Sequence, residues 1–231
     1  MNGMERTQQL LNEVETLLSN FYGFDILSPA KDHLIQADEL EEASGQTNTL
    51  LTPDANRASV LISNPSEHEL YIGIFLANEI LEELRQSCPI TRLSESNLDS
   101  FCVLIEELSH FHLILNRAVL KQQVSQIELE WQAEIDKVLV CSSLIAYQQG
   151  RSNLPLVQQK LFSEAKYLSE QSHYPEANHL AAALWKKLSL HINEQDNPIE
   201  SQNIRKVLRA LYRMPWQEKF ASSTLGRFRA A

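Results

Sequence analysis

Two long helical patterns over residues 94–149 constrain the fold more than any other feature of this sequence. Apolar residues recur at helical spacing over 94–120 and again over 124–149, which predicts two long helices. The first pattern is apolar on two sides, and such a helix is usually central in a fold. Because only a few residues separate the patterns, we expect the chain to turn around residues 121–124 and to form an antiparallel helical hairpin.

Upstream of the helical hairpin, alternating apolar residues predict a small sheet. Apolar side chains recur at every second position over residues 58–63 and 70–76. The polar stretch 64–68 between them is typical of a hairpin loop. A lone β-hairpin is marginally stable in water. We therefore expect a third strand, from residues 24–27 or 47–51, or a packed helix to complete it.

Local start and stop signals place the other helices. Their predicted ranges are 5–21, 78–87, 156–172, 175–192 and 198–213. Ser125 and Glu128 form a capping box for the second long helix. Gly23 and Gly150 are placed to end helices. The pair Asn197-Pro198 is predicted to cap the last helix, and Met214-Pro215 is predicted to end it.

These patterns predict a mostly helical α+β fold. A small antiparallel β-sheet, with its hairpin at about 58–77, joins a helical bundle built around the hairpin 94–149. We expect a single compact domain over residues 1–231. The alternative is a subdivision into 1–90 (helix plus small sheet), 91–213 (helical bundle) and 214–231 (a basic aromatic tail).

Ionisable residues lie where the helical hairpin is expected to be buried. If the helices turn around 121–124, residues equally far from the turn face each other, which places His110 level with Glu134 or Ile135 and Arg117 level with Glu128. Buried charge is tolerated only when it is paired. The sequence therefore predicts a buried polar network whose members are Glu107, His110, Glu134 and Lys137.

A metal site is an alternative reading of the same residues. Glu107-x-x-His110 on one helix with Glu134 on the next is part of the carboxylate di-metal pattern of ferritin-like bundles. A second match occurs at Glu176-x-x-His179. Under this hypothesis an iron or manganese pair is held by Glu107, His110, Glu134, Glu176 and His179. Against it, His179 points away from the apolar face of its predicted helix.

Motifs of several enzyme classes are absent from the sequence. The 6 glycines are too far apart for a phosphate-binding loop, and neither His-Glu-x-x-His nor Gly-x-Ser-x-Gly occurs. The 3 cysteines lack zinc-type spacing. We therefore favour a protein that binds over one that catalyses a reaction, and expect no cofactor outside the di-metal alternative.

Charge is unevenly distributed along this acidic chain. The net charge is −10, yet residues 200–231 contain seven bases and two acids, which gives +5 for this segment and −15 for the rest. Arg205, Lys206, Arg209 and Arg213 lie on one side of an amphipathic pattern, and Trp216, Phe220 and Phe228 add aromatic anchors. The segment either docks onto acidic helices of this protein or contacts an acidic protein or a nucleic acid.

The function that this sequence predicts is interaction with another protein. We expect a cytoplasmic adaptor, assembly or regulatory factor that contacts an acidic partner through its basic aromatic C-terminal segment. The start of the chain is polar, and no apolar run approaches the ~18 residues that a membrane span needs. The metal-carboxylate bundle and a nucleic-acid-associated protein are the alternatives. A homodimer would form if the predicted β-strands pair with a second copy.

Overall fold

The structure, a computed structural model, describes residues 3–44, 49–51, 57–66, 69–163, 173–193 and 196–219. The α-helices are α1 Gly3–Tyr22, α2 Ala37–Ser44, α3 Asn78–Gln86, α4 Leu98–Val119, α5 Gln126–Gln149, α6 Leu154–Gln158, α7 Tyr174–Leu188 and α8 Gln202–Arg213. The strands are β1 Leu34–Ile35, β2 Thr49–Leu51, β3 Ala58–Ser66 and β4 Glu69–Leu76. The predicted mostly helical α+β class is confirmed. Among the described residues, every helix is too short or too polar to cross a membrane.

The chain divides into two compact units. The sheet unit comprises Met1–Thr16 and Ile26–Leu115, and the helical unit comprises Leu17–Asp25 and Asn116–Ala231. The division falls inside α1 and α4, which both begin in one unit and end in the other. The predicted single domain, like its alternative boundaries near residues 90 and 213, stays a prediction.

The sheet unit contains a four-stranded sheet in the order β1-β4-β3-β2. Strands β3 and β4 form the predicted antiparallel hairpin, and Val60 lies opposite Ile74 in it. Strand β2, which pairs with β3, is the third strand predicted from residues 47–51. The added strand β1 runs parallel to β4, so the sheet is mixed and not purely antiparallel. A Cβ on Gly73 would lie 3.1 Å from the Ile35 side chain, so glycine permits this close pairing.

A buried acid joins three segments of the sheet unit. Oε1 of Glu15 accepts a hydrogen bond from the backbone N–H of Ala30 at 2.9 Å. The same oxygen lies 2.9 Å from Nε2 of His112, and both side chains are 2% exposed. His112 therefore belongs to the buried core of the sheet unit.

Helix α5 is the buried centre of the helical unit. Of its 24 residues, 17 are buried, and they include five ionisable side chains: Glu128, Glu130, Glu134, Asp136 and Lys137. At its start, the Ser125 side chain accepts a hydrogen bond from the Glu128 backbone N–H, and at its end Gly150 has φ 71°. The Ser125 cap and the Gly150 stop agree with the prediction, whereas the Glu128 carboxylate, the second half of the predicted capping box, binds Arg117. Helix α7 packs on α5, where Trp185 Nε1 donates to the Ile135 carbonyl at 3.3 Å.

The last helices differ from their predicted bounds. Helix α8 begins at Gln202 with Ser201 as its N-cap, so the prediction that Asn197-Pro198 caps it is wrong. Residues 197–200 form a turn instead, in which the Glu200 N–H donates to the Asn197 carbonyl. The predicted helix 156–172 is α6 followed by a π-helical turn at Gln159–Ser163. Its remaining residues lie outside the described part of the chain.

A buried tyrosine–aspartate contact links α1 to α5 within the helical unit. The Tyr22 hydroxyl donates to Oδ1 of Asp136 at 2.5 Å, and Gln132 Nε2 donates to the Tyr22 oxygen at 2.9 Å and to Asp136 at 3.0 Å. Burial, and next the Asp136 carboxylate, raise the pKa of Tyr22 well above its ordinary value. The phenol therefore stays protonated and serves as a permanent donor to the carboxylate.

We predict that Tyr22→Phe destabilises the protein by about 2 kcal/mol, because a buried carboxylate loses one of its donors. Urea unfolding measures the effect. The matched control is Tyr71→Phe, since the Tyr71 side chain is 61% exposed, and its change should stay within ~0.5 kcal/mol. Equal stabilities for the two variants would contradict the assigned hydrogen bond.

Candidate functional site

Helix α8 carries the bases that the sequence predicted as a partner-binding surface. Its apolar side is buried and consists of Ile204, Leu208, Leu211 and Tyr212. The opposite side is exposed at Lys206 and Arg213. The helix contains four basic residues and no acidic one, so its exposed side is positive in a chain whose net charge is −10. We call the exposed side at Lys206 and Arg213 the basic face.

The other two arginines of α8 bind backbone carbonyls of their own unit. Arg209 donates through Nη2 to the Asn20 carbonyl at 2.8 Å and through Nε to the Phe21 carbonyl. These carbonyls lie in the last turn of α1, where helices leave acceptors unsatisfied. Arg205 donates to the Ile199 carbonyl at 2.8 Å, and its guanidinium lies 5.9 Å from the centre of the Phe21 ring. Both side chains thus anchor α8 within the helical unit.

Arg117 joins the start of α5 to the end of α8. Its Nη2 donates to Oε1 of Glu128 at 2.8 Å and to the carbonyls of Tyr212 and Met214 at 3.1 and 2.7 Å. The side chains of Arg117 and Glu128 are 3% and 1% exposed, so solvent screens this ion pair little. The predicted level pairing of Arg117 with Glu128 is confirmed by this contact.

Lys219 supplies a second buried cation to the same carboxylate. Its Nζ donates to Oε1 of Glu128 at 2.7 Å and lies 5.6 Å from the centre of the Trp131 ring. The lysine side chain is 0% exposed. Burial lowers the pKa of Lys219 to about 8, although the Glu128 carboxylate acts in the opposite direction. Two buried cations therefore share the carboxylate of Glu128.

A cleft of about 370 Å³ adjoins this buried cluster. Its walls come from the connection between α4 and α5, the first turn of α5 and the segment that follows α8. They include Arg117, Gln122, Val124, Ser125, Glu128, Pro215, Trp216 and Gln217. Trp216 is half-buried and packs edge-on against Trp131, with ring centres 5.7 Å apart. We call this cleft the Trp216 cleft; it combines an indole and a proline with amides and a guanidinium.

The residues of the predicted polar network lie in two close pairs. In α4, Nδ1 of His110 lies 3.7 Å from Oε2 of Glu107. In α5, Nζ of Lys137 donates to Oε1 of Glu134 at 2.7 Å. Asn178 on α7 places Nδ2 3.5 Å from Oε2 of the same Glu134. All four network residues are buried; the network as a whole stays a prediction.

The residues of the predicted di-metal set lie in different environments. Glu107, His110 and Glu134 are buried, whereas Glu176 and His179 are exposed on α7. The buried side of that helix carries Ala177, Asn178 and Ala181. Ligands of a metal pair must converge, whereas Glu176 and His179 lie on the exposed side of α7. The di-metal site stays a prediction.

The contact residues predicted in the C-terminal segment divide into three groups. Lys206 and Arg213 are exposed, and Phe220 and Phe228 lie outside the described residues. The third group is half-buried: Arg205 and Arg209 bind carbonyls, and Trp216 lines the cleft. Lys219 was not predicted as a site residue. Its contact with Glu128 joins residues 91 positions apart, so no local pattern in the sequence points to it.

Comparison with protein-family models, with curated proteins and with solved structures finds no match to this chain.

Proposed function

We propose that this protein is a cytoplasmic interaction protein that binds an acidic segment of a partner protein along the basic face of α8 and the Trp216 cleft. The observation that carries the proposal is the placement of exposed positive charge directly before an aromatic cleft. Arg213 is the last residue of α8, and the cleft residues Pro215 and Trp216 follow it two and three positions later in the chain. An acidic segment with one apolar anchor matches both features.

The chemistry of the surface favours this class of partner. Exposed lysine and arginine steer an acidic partner, and the aromatic pocket supplies contact area that excludes water. The internal anchoring of Arg205 and Arg209 holds the helix rigid, so little ordering entropy is lost on binding. Cys88, Cys102 and Cys141 form no disulfide, which agrees with a reducing compartment.

The test uses a fluorescein-labelled peptide that is rich in glutamate and carries one leucine anchor. Fluorescence anisotropy should show saturable binding to the intact protein. The double variant Lys206→Glu/Arg213→Glu should weaken binding about tenfold or more, since the basic face becomes acidic. The matched control is Lys186→Glu, an exposed lysine of α7 in the same unit, which should bind as the unmodified protein does.

Two outcomes would overturn the proposal. The first is equal affinity of the double variant and the control. The second is binding of a single-stranded DNA oligonucleotide in preference to the peptide, with an affinity that falls steeply as salt is added; that result would establish the nucleic-acid alternative.

A further inference from the structure

The sheet unit contains a cleft whose charge is opposite to that of the chain as a whole. This cleft of about 570 Å³ is lined by Arg6, Arg85 and Arg92, by the acid Glu13, and by apolar Leu10 and Ile90. These side chains sum to a charge of +2, counted as three arginines and one glutamate, whereas the chain carries −10. We call it the arginine cleft. Its volume lies in the range of small-molecule sites.

The arginines differ in how they are held. Arg85, in the last turn of α3, donates through Nε to the Thr7 hydroxyl at 3.2 Å, and its Nη1 lies 3.8 Å from Oε2 of Glu82. Its guanidinium is thus oriented from one edge, while Arg6 and Arg92 are exposed. An oriented guanidinium loses less entropy when it forms a bidentate contact with an anion.

A buried asparagine shapes the loop that supplies one wall of the cleft. Nδ2 of Asn97 donates to the carbonyls of Ser87 and Arg92, both at 2.9 Å, and to the Ser87 hydroxyl at 3.1 Å. Its Oδ1 accepts from the Ser94 backbone N–H at 2.9 Å. Asn97 is 0% exposed. One side chain therefore fixes the backbone at both ends of the loop 87–92, including the backbone that carries Arg92.

We propose that the arginine cleft binds a small phosphate monoester that carries an apolar group. Such an ester has a charge of about −1.5 to −2 at neutral pH, opposite in sign to the net charge of the lining. Guanidinium groups bind phosphate oxygens in pairs of parallel hydrogen bonds. The partly exposed Ile90 lines the same cleft beside Leu10 and supplies an apolar contact for the remainder of the ligand.

Isothermal titration calorimetry of the full chain with phenyl phosphate tests the proposal. We expect saturable binding, and we expect benzoate and inorganic phosphate each to bind about tenfold more weakly, since one lacks the second charge and the other lacks the ring. Arg6→Gln and Arg92→Gln should each reduce the affinity for phenyl phosphate about tenfold, which is the effect of one charge-assisted contact.

Arg151→Gln is the control, because Arg151 is exposed and lies outside the lining of the cleft. It should bind phenyl phosphate with unchanged affinity. The absence of saturable binding, equal affinity for phenyl phosphate and inorganic phosphate, or equal losses in the control and the cleft variants would each overturn the proposal. Circular dichroism of every variant confirms that it is folded.

Discussion

Glu128→Gln should destabilise the protein by about 3–5 kcal/mol, the cost of removing one partner from a buried ion pair. Glu128 is 1% exposed and accepts from both Arg117 and Lys219 through Oε1. Glutamine keeps the size of the side chain and removes its charge, so two buried cations lose the carboxylate that they share. Urea unfolding followed by circular dichroism measures the loss.

A second substitution tests the same explanation in the opposite direction. Adding Lys219→Met to Glu128→Gln removes one of the two cations, so the double variant should be more stable than the single one. Glu176→Gln is the matched control, since Glu176 is exposed in the same unit, and its effect should stay within ~0.5 kcal/mol. A loss below ~1 kcal/mol for Glu128→Gln would contradict the assigned role of Glu128.

The stability of the unmodified protein relative to Lys219→Met should rise by about 2 kcal/mol between pH 8 and pH 10. The folded protein holds the pKa of Lys219 at about 8, below its ordinary value of 10.5. Between these values the unfolded chain binds a proton that the folded protein does not. Stability therefore increases with pH across this window, and methionine, which has no proton to release, removes the increase.

Comparing the unmodified protein with Lys219→Met separates the effect of Lys219 on stability from the effects of other titrating groups. The pKa values of Tyr22 and Tyr212 are both raised, chiefly by burial, so tyrosine ionisation in the unfolded chain lowers stability above pH ~10. This effect is common to both proteins and cancels in the difference. A flat or falling difference for Lys219→Met would refute the buried position of Lys219.

These two experiments also bear on the proposed binding surface. Lys219 and Arg117 hold the segment after α8 against α5, and this segment supplies Pro215 and Trp216 to the Trp216 cleft. Loss of the Glu128 contacts should therefore change the cleft as well as the stability. Substitutions of the basic face, at Lys206 and Arg213, change only surface charge. They therefore test partner recognition, whereas substitutions of Glu128 and Lys219 test the formation of the Trp216 cleft.

Local sequence determined the kind and the limits of most elements. The Ser125 cap, the left-handed Gly150 and the first-turn proline of α7 follow from hydrogen-bonding and steric needs met within a few residues. The pairing of Arg117 with Glu128 was predictable for the same reason, because a short turn fixes which residues of consecutive helices lie level. The start of α8 was missed because Ser201 offered an equally good cap.

Only the tertiary structure decided where the charged side chains of the C-terminal segment go. The four bases of α8 share one sequence pattern. Even so, Arg209 binds the carbonyls of Asn20 and Phe21, whereas Lys206 is exposed. Helical periodicity sets which side of a helix is buried, but not which distant backbone groups lie beside it. The partners of a long cation depend on contacts between segments far apart in the chain, and these exist only once the chain has folded.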